Sequence, residues 1–255
     1  MTVTYGEREY RLVMFDLDDT LAPSKSPLDD AMVAVLRRLL QRSLVTIISG
    51  GRYEQFRTQV LDRIGDVDEV AGLHLMPTCG TQYVRWNGAD WETVYAEDLT
   101  DDEKARTLAT LESGAKELGL WESRTWGPIL EDRGSQITFS ALGQSAPVNA
   151  KKAWDPDGTK KARLRDHAAA RLPDLEVRSG GSTSIDVTRK GIDKAYGARK
   201  LLDILDLDRA DVLFFGDRLD EGGNDRPVLD LGITSIAVDG WEDTHDKLVA
   251  ILAES

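Results

Sequence analysis

Three short apolar runs each end on a polar residue, and this pattern constrains the fold of the 255-residue chain more than any other feature. Residues 11–15 (RLVMF) run into Asp16, residues 44–48 (LVTII) into Ser49, and residues 212–215 (VLFF) into Gly216-Asp217. Apolar runs of this length read as buried strands. Behind the first, Met32, Val33, Val35, Leu36, Leu39 and Leu40 recur at helical spacing after Ser26-Pro27, which reads as an N-cap with proline at the first helical position. Residues 192–205 repeat helical spacing ahead of the 212–215 run, and a strand over 234–238 and a helix over 244–252 follow. Strand–helix–strand order at both ends of the chain predicts an α/β core built on a parallel sheet with covering helices.

The middle has another rhythm. Residues 83–86 and 91–95 flank Asn87-Gly88, a hairpin signal. Thr100 and Glu103 make a capping box ahead of Leu108, Leu111, Ala115 and Leu118 on one helical face. A strand is predicted over 136–141, a helix from Lys160 to Arg171, and a second hairpin about Gly180-Gly181. This predicts an α+β module over 84–188, inserted into a core formed by 1–83 and 189–255.

Composition narrows the function. A net charge of −13 argues against binding nucleic acid, which rests on clustered Lys and Arg. A single cysteine, Cys79, permits no internal disulfide and suits a reducing compartment. The first residues lack an apolar leader core, and no run reaches the roughly 18 apolar residues of a membrane span, so a cytoplasmic protein is expected. Oligomeric state is not legible.

Ligands of such sheets bind beyond the carboxyl ends of the strands, where Asp16, Ser49 and Asp217 fall. In extended backbone Asp16 and Asp18 point to one side, a pair suited to attack at phosphorus and proton handling. Two close carboxylates repel, which invites a divalent cation such as Mg²⁺. The alternative is an acidic strand-to-helix turn. Ser49 and the amides from Gly50 onward suit phosphoryl oxygens, or Ser49 is a helix cap. Lys194 is either a neutraliser of a transferring phosphoryl group or a surface helix lysine. Asp217 ends an apolar run, an awkward place for a charge unless something pairs with it. Asn224 and Asp225 are expected to order ligands around such a cation. His74, His167 and His245 fall outside these segments and read as structural or exposed, and Cys79 as a small apolar group. Trp86, Trp91, Trp121, Trp126 and Trp154 fall in the expected insert and read as its core or as a sugar-stacking surface.

Taken in order, DLDDT at 16–20, Ser49, Lys194 and GDRLDEGGND at 216–225 resemble the motifs of the haloacid-dehalogenase-like (HAD) phosphatase and phosphomutase superfamily, over nearly the whole chain. The resemblance implies a Rossmann-like core with an inserted α+β cap of subfamily IIB. Within that superfamily, FFGD with GGND, GGSTSIDV at 180–187 and Arg133-Gly134 resemble eukaryotic-type phosphomannomutases. It implies a phospho-aspartate on Asp16, acid–base work by Asp18 oriented by Thr20, and phosphate held by Ser49, Gly50 and Lys194. It also implies Mg²⁺ at Asp16, Asp18 (through its carbonyl) and Asp217, and substrate contacts from Arg133, Ser184 and Asp186 of the cap. Gln144 and Lys151 stand where that family has further arginines, and Lys25 where an arginine follows the nucleophile loop. Neither Lys nor Gln reproduces the bidentate fork of arginine. A sugar phosphate or similar small phosphomonoester is the expected substrate, hydrolysis the expected reaction, with a hexose phosphomutase and a non-catalytic phosphate-binding module as alternatives.

Overall fold

The computed structural model describes residues 1–65 and 68–254. The chain divides into two compact units, Met1–Ala96 with Ile192–Ser255, and Glu97–Gly191. In chain order the strands are β1 (Val3–Tyr5), β2 (Arg8–Tyr10), β3 (Leu12–Phe15), β4 (Leu44–Ile48), β5 (Leu73–Met76), β6 (Gln82–Trp86), β7 (Trp91–Ala96), β8 (Leu130–Asp132), β9 (Gln136–Ser140), β10 (Leu175–Ser179), β11 (Ser184–Arg189), β12 (Val212–Gly216) and β13 (Thr234–Ala237).

The first unit is built on a seven-stranded sheet of order β13-β12-β3-β4-β5-β6-β7. The strands from β13 to β5 pair in parallel, and β6 and β7 add antiparallel. Strand periodicity sorts the side chains. Val13, Phe15, Val45, Ile47, Leu213 and Phe215 join one core with Met32, Val35 and Leu36 of the helix Asp30–Leu40 and Leu248 and Ile251 of the helix Trp241–Glu254. Leu12, Met14, Ile48, Val212 and Phe214 pack on the other face with Ala195, Ala198 and Leu201 of the helix Lys194–Leu205. The α/β reading of the core therefore holds: a mostly parallel sheet lies between two helical layers.

Three local expectations change. The first helix is capped by Asp29, whose side chain accepts from Ala31 N, so Ser26-Pro27 lies ahead of the cap. The last helix begins at Trp241 rather than near 244. The hairpin about Asn87-Gly88 forms, but β6 pairs with β5 and extends the core sheet. The units thus part at Ala96/Glu97 and Gly191/Ile192, not at 84 and 188, and Trp86 and Trp91 pack on the first unit's core.

The second unit is a four-stranded antiparallel sheet of order β10-β11-β9-β8. The helices Asp101–Glu117 and Thr159–Arg171 supply Leu111, Ala115, Leu164 and Ala168 to one core with Ile137, Phe139, Ile185 and Val187. The capping box of Thr100 and Glu103 is present. Trp154 and Trp121 belong to this core, whereas Trp126 is exposed.

Inside the first unit, His74 on β5 lies buried with Nδ1 2.7 Å from the Tyr83 hydroxyl. Burial, aided by the charge of Arg85, lowers its pKa from 6.5 to about 4. The unfolded chain therefore takes up a proton between those values while the folded chain does not, and stability falls as pH drops through that window and levels off below it. The loss attributable to His74 is at most about 3 kcal/mol. Denaturant unfolding at pH 7 and pH 4 is expected to show a smaller acid loss for His74→Gln than for the wild type.

Candidate active site

Backbone placement comes first. Asp16 follows β3, Ser49 follows β4 and Asp217 follows β12, three adjacent parallel strands, so all three leave the sheet at its carboxyl edge. Asp16 N donates to Phe215 O at 3.0 Å, which extends the β3–β12 ladder to the edge. Asp193 caps the helix Lys194–Leu205 by accepting from Tyr196 N at 2.8 Å, which sets Lys194 at the helix's first position.

Lys194 is 1 % exposed, which removes the surface-lysine alternative. Its Nζ lies 2.5 Å from Asp16 Oδ1 and 2.5 Å from Asp225 Oδ1. Asp225 is fully buried, and its other oxygen accepts from Arg218 N at 3.0 Å. It fits because residue 216 is glycine: a Cβ there would lie 2.6 Å from Asp225 Oδ2. Asp217 is half-buried, and its carboxylate accepts from Thr20 Oγ1 at 3.3 Å. Thr20 thus orients Asp217, not Asp18 as expected.

Among the described residues, Asp16, Asp217 and Asp225 offer carboxylate oxygens within 4.8 Å of one another. Three carboxylates against one ammonium leave two negative charges uncompensated. Burial pushes the Asp16 carboxyl up against the pull of Lys194, with Asp225 adding to the rise. Burial and the Asp225 charge likewise raise Asp217. An all-oxygen donor set short of two positive charges fits a hard divalent cation such as Mg²⁺. The side chain of Asp18 is not in this set, and Asp225, expected only to order ligands around the cation, is.

Asp18 has its own surroundings. Its oxygens accept from Lys25 N at 2.8 Å, Gln55 Nε2 at 2.9 Å and Gln59 Nε2 at 3.4 Å, and Lys25 Nζ lies 3.3 Å away. Burial raises its pKa, but the Lys25 charge and these donors outweigh it and hold the carboxyl below its ordinary value. Gln55 and Gln59 belong to no motif, and sequence reasoning missed them. The one signal was their spacing of four residues beside Gly50-Gly51.

Ser49 is buried, and its Oγ accepts from Gly51 N at 3.2 Å. The following helix is capped at Arg52, so Ser49 is not its cap. Cys79 stands at φ 56° with its N–H on Ser49 O at 2.9 Å, and is half-buried rather than a packed apolar group.

In the second unit, β9 and β11 set Ser140 opposite Ser184, Thr138 opposite Asp186 and Gln136 opposite Thr188. Asp186 Oδ1 accepts from Thr138 Oγ1 at 2.7 Å and Gln136 Nε2 at 2.9 Å, and Ser184 Oγ lies 3.5 Å from Ser140 Oγ. This sheet therefore has an apolar face under its helices and a polar face opposite. Arg133 is largely buried and paired with Glu131 at 2.8 Å.

The haloacid dehalogenase-like hydrolases match residues 142–247, a span that includes Lys194, Asp217 and Asp225. Phosphomannomutase 1 of Homo sapiens is 28 % identical over 235 residues, covering 87 % of this chain and 84 % of that protein. The phosphomannomutase of Saccharomyces cerevisiae is 27 % identical over 240 residues, 88 % of this chain and 87 % of its own. In fold, the chain is similar to the IMP-bound, N-terminally truncated Plasmodium falciparum IMP-nucleotidase, with a TM-score of 0.68 at 15 % identity, over 96 % of this chain and 68 % of that one. No helix among the described residues is long and apolar enough to cross a membrane.

Removing Lys194 leaves Asp16 and Asp225 buried without their counter-charge. Lys194→Met is expected to lower the unfolding free energy by about 3–5 kcal/mol in metal-free buffer. Chemical denaturation with and without Mg²⁺ measures the loss; unchanged stability in both buffers contradicts the charge balance drawn here.

Proposed function

We propose that the chain, similar over most of its length to phosphomannomutases and matched in part by the haloacid dehalogenase-like hydrolases, is a member of the HAD-like superfamily that hydrolyses a sugar phosphate or similar small phosphomonoester through a phospho-aspartate on Asp16. The observation that carries this reading is Lys194 between Asp16 and Asp225, with Asp217 alongside, at the carboxyl edge of the parallel sheet. A solvated acidic turn needs no buried lysine, whereas phosphoryl transfer needs positive charge beside the negative charge on the equatorial oxygens.

The Mg²⁺ that fits here would be held by Asp16, Asp217 and the Asp18 main-chain carbonyl, with Asp225 beside it, and would offset charge on the phosphoryl oxygens. Asp16 attacks phosphorus in line, and the bond to the leaving oxygen breaks. Asp18 is ionised in the free chain; it takes up a proton brought in with the phosphomonoester, gives it to that oxygen, then takes one from the water that cleaves the phospho-aspartate. Ser49, the Gly50 amide and Lys194 bind the phosphoryl oxygens. Ser184 and Asp186 are assigned contacts to the rest of the substrate, because the ladder of β9 and β11 presents hydroxyl, amide and carboxylate groups suited to sugar hydroxyls; Arg133 is assigned with them on the resemblance alone, since its side chain is largely buried against Glu131.

The alternative is a mutase that returns the phosphoryl group to a second hydroxyl of a hexose. That reaction must grip a second phosphate while a bisphosphate turns over. Gln144 and Lys151 stand where the resemblance expects arginines, and Lys151 Nζ donates to Gln144 O at 2.7 Å, within the second unit. A lysine spent on a main-chain carbonyl, beside a glutamine, supports water as the acceptor.

Incubation with mannose 1-phosphate and Mg²⁺ is expected to release inorganic phosphate; formation of mannose 6-phosphate would assign the mutase. Asp16→Asn is expected to fold as the wild type does and to lose at least about a thousandfold in turnover, the scale of a lost nucleophile. A folded wild type that cleaves no phosphomonoester with Mg²⁺ would leave a binding module.

A further inference from the structure

We infer that Gln55, latched to Lys25, is a positioning residue that aims the Oδ2 atom of Asp18, and the inference rests on the acid–base role proposed above for Asp18.

The two oxygens of Asp18 are held differently. Oδ1 accepts from the main-chain N–H of Lys25 at 2.8 Å and from Gln59 Nε2 at 3.4 Å. Both donors are fixed. One is backbone, and the other belongs to a buried side chain whose Nε2 also donates to Ser26 O at 2.6 Å. Among the described residues Oδ2 is held by side chains with one end in solvent: Gln55 Nε2 at 2.9 Å and Lys25 Nζ at 3.3 Å. Lys25 Nζ also donates to Gln55 Oε1 at 2.7 Å. The three side chains thus close a ring, and the ring fixes the amide's orientation. The flipped amide would set NH₂ against the ammonium and C=O against the carboxylate, losing both bonds.

The backbone makes room for this ring. Gln55 lies across residue 51, where a Cβ would stand 2.7 Å from Gln55 Cδ. The second glycine of Ser49-Gly50-Gly51 therefore has a task of its own, to seat the glutamine. Gln55 sits in the short helix Tyr53–Phe56, which widens into the π-helical turn Arg57–Leu61 carrying Gln59. A π-turn in a short helix is an uncommon local distortion, and such turns are frequent at functional sites. Here it accompanies two amides that both reach Asp18.

The consequence is geometric. With Oδ1 anchored, the carboxyl pivots about that oxygen, and Gln55 sets where Oδ2 points. Proton transfer needs Oδ2 within hydrogen-bond reach of the leaving oxygen and then of water, so loss of the Gln55 amide slows both steps.

The test uses the full chain with Mg²⁺ and p-nitrophenyl phosphate as probe. Gln55→Met keeps the length of the side chain and loses the amide. Gln55→Glu keeps an acceptor for Lys25 and loses the N–H to Asp18. Because Gln55 is half-exposed, both are expected to melt as the wild type does. Both are expected to lose roughly tenfold in kcat, a part of the hundredfold or more that a positioned acid–base group contributes. KM is expected to stay within about twofold, and the presteady-state burst to slow with the steady state. Wild-type kcat in both variants overturns the inference, as does a rise in KM with kcat unchanged, which would assign Gln55 to substrate binding. Wild-type kcat in Gln55→Glu alone overturns it as well, because only the hold on Lys25 would then matter. The proposed function fails by a different result: Asp16→Asn that still turns over.

Discussion

One buried ammonium organises the first unit's polar edge. Lys194 touches Asp16, which follows β3, and Asp225, which lies beyond β12, so it joins the two strands at their functional ends. The pair is tolerable in a dry setting only because each charge has a partner, and a lone buried charge would cost several kcal/mol. The helix it starts is anchored by Asp193 and by the small residues Ala195, Gly197 and Ala198 against the sheet. The lysine still leaves the acidic edge undercharged. That deficit fits a divalent cation, and in the proposed function the cation would in turn offset the charge of a phosphoryl group. Fold and chemistry are in this sense one electrostatic arrangement.

Much of this was legible in the sequence because it is local. An apolar run of strand length that stops on Asp16, Ser49 or Asp217 announces a strand end, and the parallel sheet follows from the helices between. The hairpin at Asn87-Gly88 and the Thr100–Glu103 capping box are short-range signals, and both are present. What was not legible depends on distant partners. Lys194 opens a helix, where lysines normally face solvent; its burial is explained by Asp225, 31 residues later, together with Asp16 near the other end of the chain. The allegiance of the hairpin is decided by its pairing to β5, whose residues Leu73–Met76 include a histidine and gave no clear strand signal. Asp29 took the cap expected of Ser26 because the chain turns to the helix only after Leu28, itself buried in the core.

The two units divide the labour by chemistry. The first carries charge: carboxylates, one buried lysine, and an Asp18 held by amides and Lys25. The second carries a polar ladder of hydroxyls and an amide about one carboxylate, in which Thr138 and Gln136 fix one oxygen of Asp186. In the proposed reading a rigid acceptor among hydroxyls suits a polyol, and Gln144 and Lys151, which lack the arginine fork, suit a substrate gripped by one phosphate rather than two.

The claim on which the rest depends is that Asp16 becomes phosphorylated. Acid quench of the protein during turnover of a hexose phosphate with Mg²⁺, followed by peptide mass spectrometry, tests it most directly. The account predicts a phosphoryl increment on the peptide containing Asp16, absent when Mg²⁺ is withheld. Steady product release with the increment on another residue, or with none on any peptide at any quench time, would contradict it.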